Sequence, residues 1–509
     1  MSSPRIELTG RQRLLLLLIV VVPSLIRLVG IDNQLLGHDE WRETETATIA
    51  RHFVEDPNIF YPRVNWGAPG PGYVEAEFQL LPWIASRLYL VFGHRPWLGR
   101  ALAVVLGGLA TLLLFRLARH VLRPRAALLA ALSFASAPLL FRYGRAFMPE
   151  ALVLVFYLLA AERFACWMHD RRWRSIVTAG AVLALAILVK PTSVHIGLLA
   201  GILAFRRGGL RTLFGPQMLT FGAIALLPAI CWYTHAAQLH LEYGNTFGVI
   251  SGGDSKWGNV SWWLDPTFYR NLQNIDVVYG MGYTGSLLAL LAMGMGRPLV
   301  LRYAVIAWLA VVFVYYMIVA RYAGHESRGI QYHVYVLVPL SLATAGGAMS
   351  AWRYLRHRMP RRWAMAAVAV PILAMTAQQW RSNVRFLRLP QDDLFLRAGQ
   401  ALAQVSAPDD RVVVTSTDCA VDDGATNNFE EPKVMFHAWR RGRILPADRL
   451  NAQTLRQTVE RASARWLVVL DRALERTPGG PTADFRTAIA QYEVAASGEG
   501  FRVLRVAAR

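Results

Sequence analysis

Cysteine is nearly missing from this 509-residue sequence: there are three, with Cys166 and Cys231 inside apolar runs and Cys419 in a polar tail. So placed, they give neither a disulfide framework nor the close pairing of a zinc finger, and the redox compartment cannot be read from them. Acids are scarce too, 34 Asp and Glu against 54 Lys and Arg, and the first half of the chain has a single lysine, Lys190. The resulting charge of +20 is not the footprint of a nucleic-acid binder, because the bases stand in short clusters between apolar runs rather than along one face with interleaved aromatics. No G-x-G-x-x-G follows a strand, and no Walker, G-x-S-x-G or H-E-x-x-H pattern occurs, so no nucleotide cofactor is expected and serine-hydrolase and metalloprotease chemistry lacks support. Repeats and low-complexity tracts are absent as well.

What the chain has in quantity is apolar sequence, 54% of its residues. A helix needs ~20 apolar residues to cross a bilayer core of about 30 Å. Eleven runs qualify, near 11–31, 97–119, 125–142, 147–168, 173–190, 192–207, 214–236, 279–296, 299–320, 332–350 and 363–381. The first follows Arg5, Arg11 and Arg13 in the order of a secretory signal but lacks a small-residue cleavage site, so a retained helix is expected. Alternate connections are basic and nearly free of acids: Arg119–Arg125, Arg171–Arg174, Arg206–Arg211, Arg297–Arg302 and Arg353–Arg362. Short cytoplasmic loops collect Lys and Arg, so the parity predicts an N-in, C-out helical bundle of about 11 transmembrane helices.

The other connections hold most of the acids. Outer loop 32–96 carries two amphipathic stretches, Glu43–Phe53 and Phe78–Phe92, expected as helices in the interface plane and separated by a Pro- and Gly-rich loop. Outer loop 237–278 is rich in aromatics, including Trp257, Trp262 and Trp263; they could stack on a sugar or form an interfacial belt. After about Pro390 the pattern changes to helices alternating with β-branched runs, strands being expected at Arg411–Ser416, Arg465–Leu470 and Phe501–Val506. The expected domains are therefore a transmembrane unit, 1–389, and a small extracytoplasmic α/β domain, 390–509.

Polar groups gather at the outer connections. Asp39 and Glu40 follow the first span; one could accept a proton from an attacking hydroxyl while the other orients it, or Asp39 could cap the helix that begins there. Glu75 and Glu77 precede the second amphipathic stretch, and Arg145 and Glu150 flank a helix entrance at Pro149. Lys190-Pro191-Thr192 turns from one span to the next, where a lysine can equally snorkel to the interface. Arg321, His325, Glu326, Arg328, His333 and Tyr335 form another polar mouth. Carboxylates and cations converging on one water interface suit a reaction whose leaving group is an anionic phosphate.

In order and spacing these residues resemble a known family, the bacterial GT-C glycosyltransferases related to protein O-mannosyltransferases and to the lipid A aminoarabinose transferase. The resemblance spans about 10–350. It rests on His38-Asp39-Glu40-Trp41-Arg42, Glu77-Phe78-Gln79-Leu80-Leu81-Pro82, Arg145-Ala146-Phe147-Met148-Pro149-Glu150, Leu188-Val189-Lys190-Pro191-Thr192 and His333-Val334-Tyr335. It implies a GT-C fold and a transferase that moves a sugar, with inversion, from a polyprenyl-phosphate carrier to a hydroxyl of a glycan, lipid or protein. It also implies the bacterial cytoplasmic membrane as location, with the active site on the periplasmic side and a monomer as the working form. Asp39 matches the family's catalytic acid and would be the general base, with Glu40 beside it. Arg42, Glu77, Arg145, Lys190, Arg321, Arg328, His333 and Tyr335 are the expected donor phosphate or sugar contacts. Asp39, Glu40 and Glu77 could also hold a divalent metal, although their spacing is not diagnostic. One departure stands out: where the lipid A branch has a lysine after the second acid, this chain has Phe78. The competing class is a lipid or glycan transporter, which would place polar groups near the midplane and often shows internal repeats.

Overall fold

The structure, a computed structural model, describes residues 7–33, 35–36, 39–67, 70–250, 257–295, 298–325, 329–416, 431–476 and 480–506. The chain forms two compact units, one made of Met1–Ile31, Arg100–Ile230 and Lys256–Leu389, the other of Asp32–Gly99, Cys231–Ser255 and Pro390–Arg509.

The first unit is a helical bundle, and helices overlap every one of the eleven expected spans. Among the described residues six helical runs are long and apolar enough to cross a membrane: Trp97–Ala118, Glu150–Asp170, Pro216–Tyr243, Pro266–Gly294, Leu299–Ile318 and Ile330–Leu355. This is a multi-pass membrane protein. Proline sets several of its breaks. Ala137 is extended ahead of Pro138 and divides the expected span 125–142 into Pro124–Ser136 and Pro138–Tyr143. The same effect makes Lys190 extended ahead of Pro191, ending helix Trp173–Val189 and turning the chain into the 3₁₀ turn Pro191–Val194. A π-helical stretch, Ile275–Met281, carries Asp276.

The second unit is built on a five-stranded sheet ordered β2-β1-β3-β5-β4, with β1 Arg411–Thr415, β2 Arg441–Leu445, β3 Trp466–Leu470, β4 Glu493–Gly498 and β5 Phe501–Arg505. β1 runs parallel to β2 and β3, while β5 is antiparallel to β3 and β4. Strands covered on both faces read as continuous apolar runs, as in Val412-Val413-Val414 and Trp466–Leu470. One face packs Leu455, Phe485 and Ile489 against Val413, Leu467 and Leu504. The opposite face packs Val412, Val414 and Val468 with helices Leu394–Val405 and Lys433–Ala438, and with Ile49, Phe53, Val64, Trp66 and Val74 from the first long connection. That connection also closes the sheet edge: the Gly442 amide donates to the Asn65 carbonyl (2.9 Å) and the Gly67 amide to the Gly442 carbonyl (3.2 Å). Only glycine fits at 442, since a Cβ there would lie 1.9 Å from the Val412 carbonyl oxygen.

Helix Glu40–Glu55 is buried at every position from Glu43 to Ala50, whereas a helix lying in an interface would keep one face in water. Helix Leu80–Phe92 does leave Leu90, Val91 and Phe92 exposed at its end.

Candidate functional site

In the second unit the acids and bases of the first connection collect around helix Glu40–Glu55. Asp39 occupies its N-cap position, yet its side chain makes no capping hydrogen bond. Its carbonyl accepts from the Glu43 amide at 3.0 Å. That is the helix's own first i→i+4 bond, and helix N-termini attract anionic groups. One turn on, the Arg42 guanidinium donates to Glu45 Oε2 at 2.7 Å and to Glu77 Oε2 at 3.1 Å, and lies over the Phe247 ring at 4.9 Å. Two residues singled out in the sequence, Arg42 and Glu77, are therefore in direct contact across 35 positions.

Glu45 was not singled out, although its place three residues after Arg42 on a helix is a readable pairing signal. It is buried, and burial pushes its carboxyl from 4.5 up to about 7 against the pull of Arg42. Glu40 faces the tail: His437 Nε2 stands 3.6 Å from Glu40 Oε1, with Lys433 and Glu431 also acting on it. Burial raises the Glu40 carboxyl as well, opposed by His437 and Lys433. Glu75 is buried and fastens another loop, accepting from Thr246 Oγ1 and from the Ile250 amide at 2.8 Å while its backbone pairs with Thr246.

In the first unit a polar end of the bundle forms where several helices stop. Lys190 Nζ pairs with buried Glu150 and lies 5.2 Å from the Tyr332 ring centre. Thr192 Oγ1 is 3.0 Å from the Tyr335 hydroxyl. Arg145 donates to the carbonyls of Val29 and Gly30, capping the end of helix Gly10–Arg27. His333 is fully buried, with Nδ1 2.6 Å from Asp276 Oδ1 and Nε2 2.8 Å from the Ala323 carbonyl, so both ring nitrogens are engaged. Asp276 also accepts from the Tyr316 hydroxyl at 3.0 Å, so it ties the π-helical stretch to helix Leu299–Ile318 as well as to His333. Arg321 is buried in helix Ala320–Ala323. His38, Glu326 and Arg328 lie outside the described residues.

Asp39, Glu40 and Glu77 do not form a cluster able to share one ion among the described residues; the group that does is His120, Glu162 and Cys166 in the first unit.

With helical bundle and polar ends in place, the fold is of the GT-C type, as the sequence resemblance implied. Residues 79–233 match the family model described as dolichyl-phosphate-mannose-protein mannosyltransferase. Among solved structures the chain is similar to ArnT from Cupriavidus metallidurans bound to undecaprenyl phosphate, with TM-score 0.62 and 15% identity over 96% of this chain and 97% of that one. It is similar also to the archaeal oligosaccharyltransferase AglB from Archaeoglobus fulgidus, in complex with an inhibitory peptide and a dolichol-phosphate: TM-score 0.59 and 13% identity, covering 98% and 75% of the two chains. The arabinofuranosyltransferase AftD from Mycobacteria gives TM-score 0.55 and 13% identity over 99% of this chain and 42% of its own. No curated protein matches the chain.

Proposed function

We propose that this protein is an integral-membrane glycosyltransferase that moves a sugar from a polyprenyl-phosphate carrier to an acceptor hydroxyl at the outer face of the cytoplasmic membrane, with inversion. The observation that carries the reading is the Arg42–Glu45–Glu77 cluster one turn behind Asp39, on a fold shared with an undecaprenyl-phosphate-bound structure. Asp39 takes the acceptor proton as the hydroxyl oxygen attacks the anomeric carbon, and the carrier phosphate leaves with the electrons of the broken glycosidic bond. Arg42 is the cation proposed to steady that phosphate. A guanidinium between two ionised carboxylates would present a net negative charge to it. With Glu45 lifted to about 7, the cluster is close to neutral only below that pH, where Glu45 is protonated and the guanidinium can hold an anion, and it turns negative above it. Glu77 then orients Arg42, while Lys190 in the first unit is neutralised by Glu150.

Purified protein given a polyprenyl-phosphate sugar should release polyprenyl phosphate, and Asp39→Asn should lower turnover by at least 10²-fold with the fold and donor binding kept. Turnover unchanged in that variant would remove Asp39 as the base. Substrate flux into liposomes with no glycosylated product would favour the transporter.

A further inference from the structure

A second constellation lies in the first unit, apart from the residues given a part in glycosyl transfer. Glu162, Cys166 and His169 fall at i, i+4 and i+7 of helix Glu150–Asp170 and so share one face. His120, just past the end of helix Trp97–Ala118, points its Nε2 at that face, 3.9 Å from Cys166 Sγ and 3.9 Å from Glu162 Oε1. The three donor atoms lie within 4.8 Å of one another. Ligand atoms about 2.0–2.3 Å from a tetrahedral ion are roughly 3.4–3.6 Å apart, so closing on a metal takes only a small movement of each side chain.

We propose that His120, Glu162 and Cys166 bind a divalent transition ion of the zinc type. The mixed nitrogen, oxygen and sulfur donors suit such an ion and not magnesium or calcium, which prefer oxygen alone. The carboxylate is already aimed: Glu162 Oε1 accepts from Arg116 at 3.0 Å and Oε2 from Arg163 at 2.6 Å. Hydrogen bonds of this kind orient metal ligands from behind. The His120 ring is held too, stacked on His169 with centres 5.6 Å apart and planes 14° from parallel. His120 and Cys166 are 46 residues apart, which is why no ligand spacing is visible along the chain.

The test uses the full chain in detergent with Cys231→Ser and Cys419→Ser, so that Cys166 is the sole thiol. After chelation and dialysis, zinc is titrated and counted by elemental analysis, and cobalt(II) is loaded as a spectroscopic probe. The expected result is one zinc per chain, a thiolate-to-cobalt charge-transfer band, and protection of Cys166 from maleimide by zinc. Cys166→Ser should erase the band, and both that change and His120→Gln should weaken zinc binding at least about tenfold. Size-exclusion profiles and melting curves of the metal-free variants show whether each is folded. No zinc retained by the folded parent, or a cobalt spectrum without a thiolate band that Cys166→Ser leaves unchanged, would overturn the site.

Discussion

Replacing Glu45 by Gln fixes the Arg42 cluster in its uncharged-acid form and should remove a pH dependence that the parent shows. The parent carboxyl ionises near 7 when folded and near 4.5 when exposed, because burial disfavours its charge. Between those values the folded state binds more protons than the unfolded state, so this group lowers stability as pH climbs from 4.5 to 7 and adds nothing further above. The span corresponds to about 3 kcal/mol. Donor binding involves only the folded state, so it should respond around the folded value near 7. A new negative charge about 7 Å from a bound phosphate, at an effective dielectric near 20, costs roughly 2 kcal/mol, or about 30-fold in affinity. In the parent the KM for the lipid donor should therefore rise from pH 6.5 to 8.5, while in Glu45→Gln it stays near its low-pH value. Melting temperatures from pH 5 to 8 should fall less steeply in the variant. KM profiles that superimpose would refute the idea that Glu45 sets the charge Arg42 presents.

Two further changes probe the framework. Lys190→Met strands the buried Glu150 carboxylate and should cost about 3–5 kcal/mol, seen as a lower melting temperature, with Glu150→Gln added to the same chain recovering much of it; no recovery would mean that the lysine matters for something other than neutralising that acid. Gly442→Ala drives a Cβ into the β1 backbone and should destabilise the second unit by about 1–3 kcal/mol or more, read as faster protease cleavage within 390–509.

The bundle was legible because lipid-facing helices must be long and apolar, and because proline announces the break at Lys190; the break at Ala137 ahead of Pro138 fell unread inside the expected span 125–142. β1, β3 and β5 stand out as apolar runs, but β2, Arg-Gly-Arg-Ile-Leu, and β4, Glu-Val-Ala-Ala-Ser-Gly, do not. β4 is a largely exposed edge strand, and β2 has its outer edge covered by the distant segment 65–67. The same limit governs the site. Arg42 and Glu77 drew notice through motif resemblance, while Glu45 lacked a motif and stayed hidden in an acidic run. His437 could not be found from sequence, since its approach to Glu40 depends on how the tail folds back. Asp276 and His333 pair across 57 residues, a distance at which side-chain chemistry leaves no mark on local pattern.

The closing of the sheet edge by segment 65–67, and the packing of helix Glu40–Glu55 beside helix Lys433–Ala438, tie an early stretch of chain to one made late. On the ribosome, Glu40 precedes Lys433 by about 390 residues, a wait of roughly 20–80 s at ordinary elongation rates. A half-finished chain already in the bilayer would hold Asp39 on an unsupported helix and would be inert until synthesis ends. Ribosome-arrested chains stopped at 389 should then be open to protease within 40–77, and released full-length chains closed.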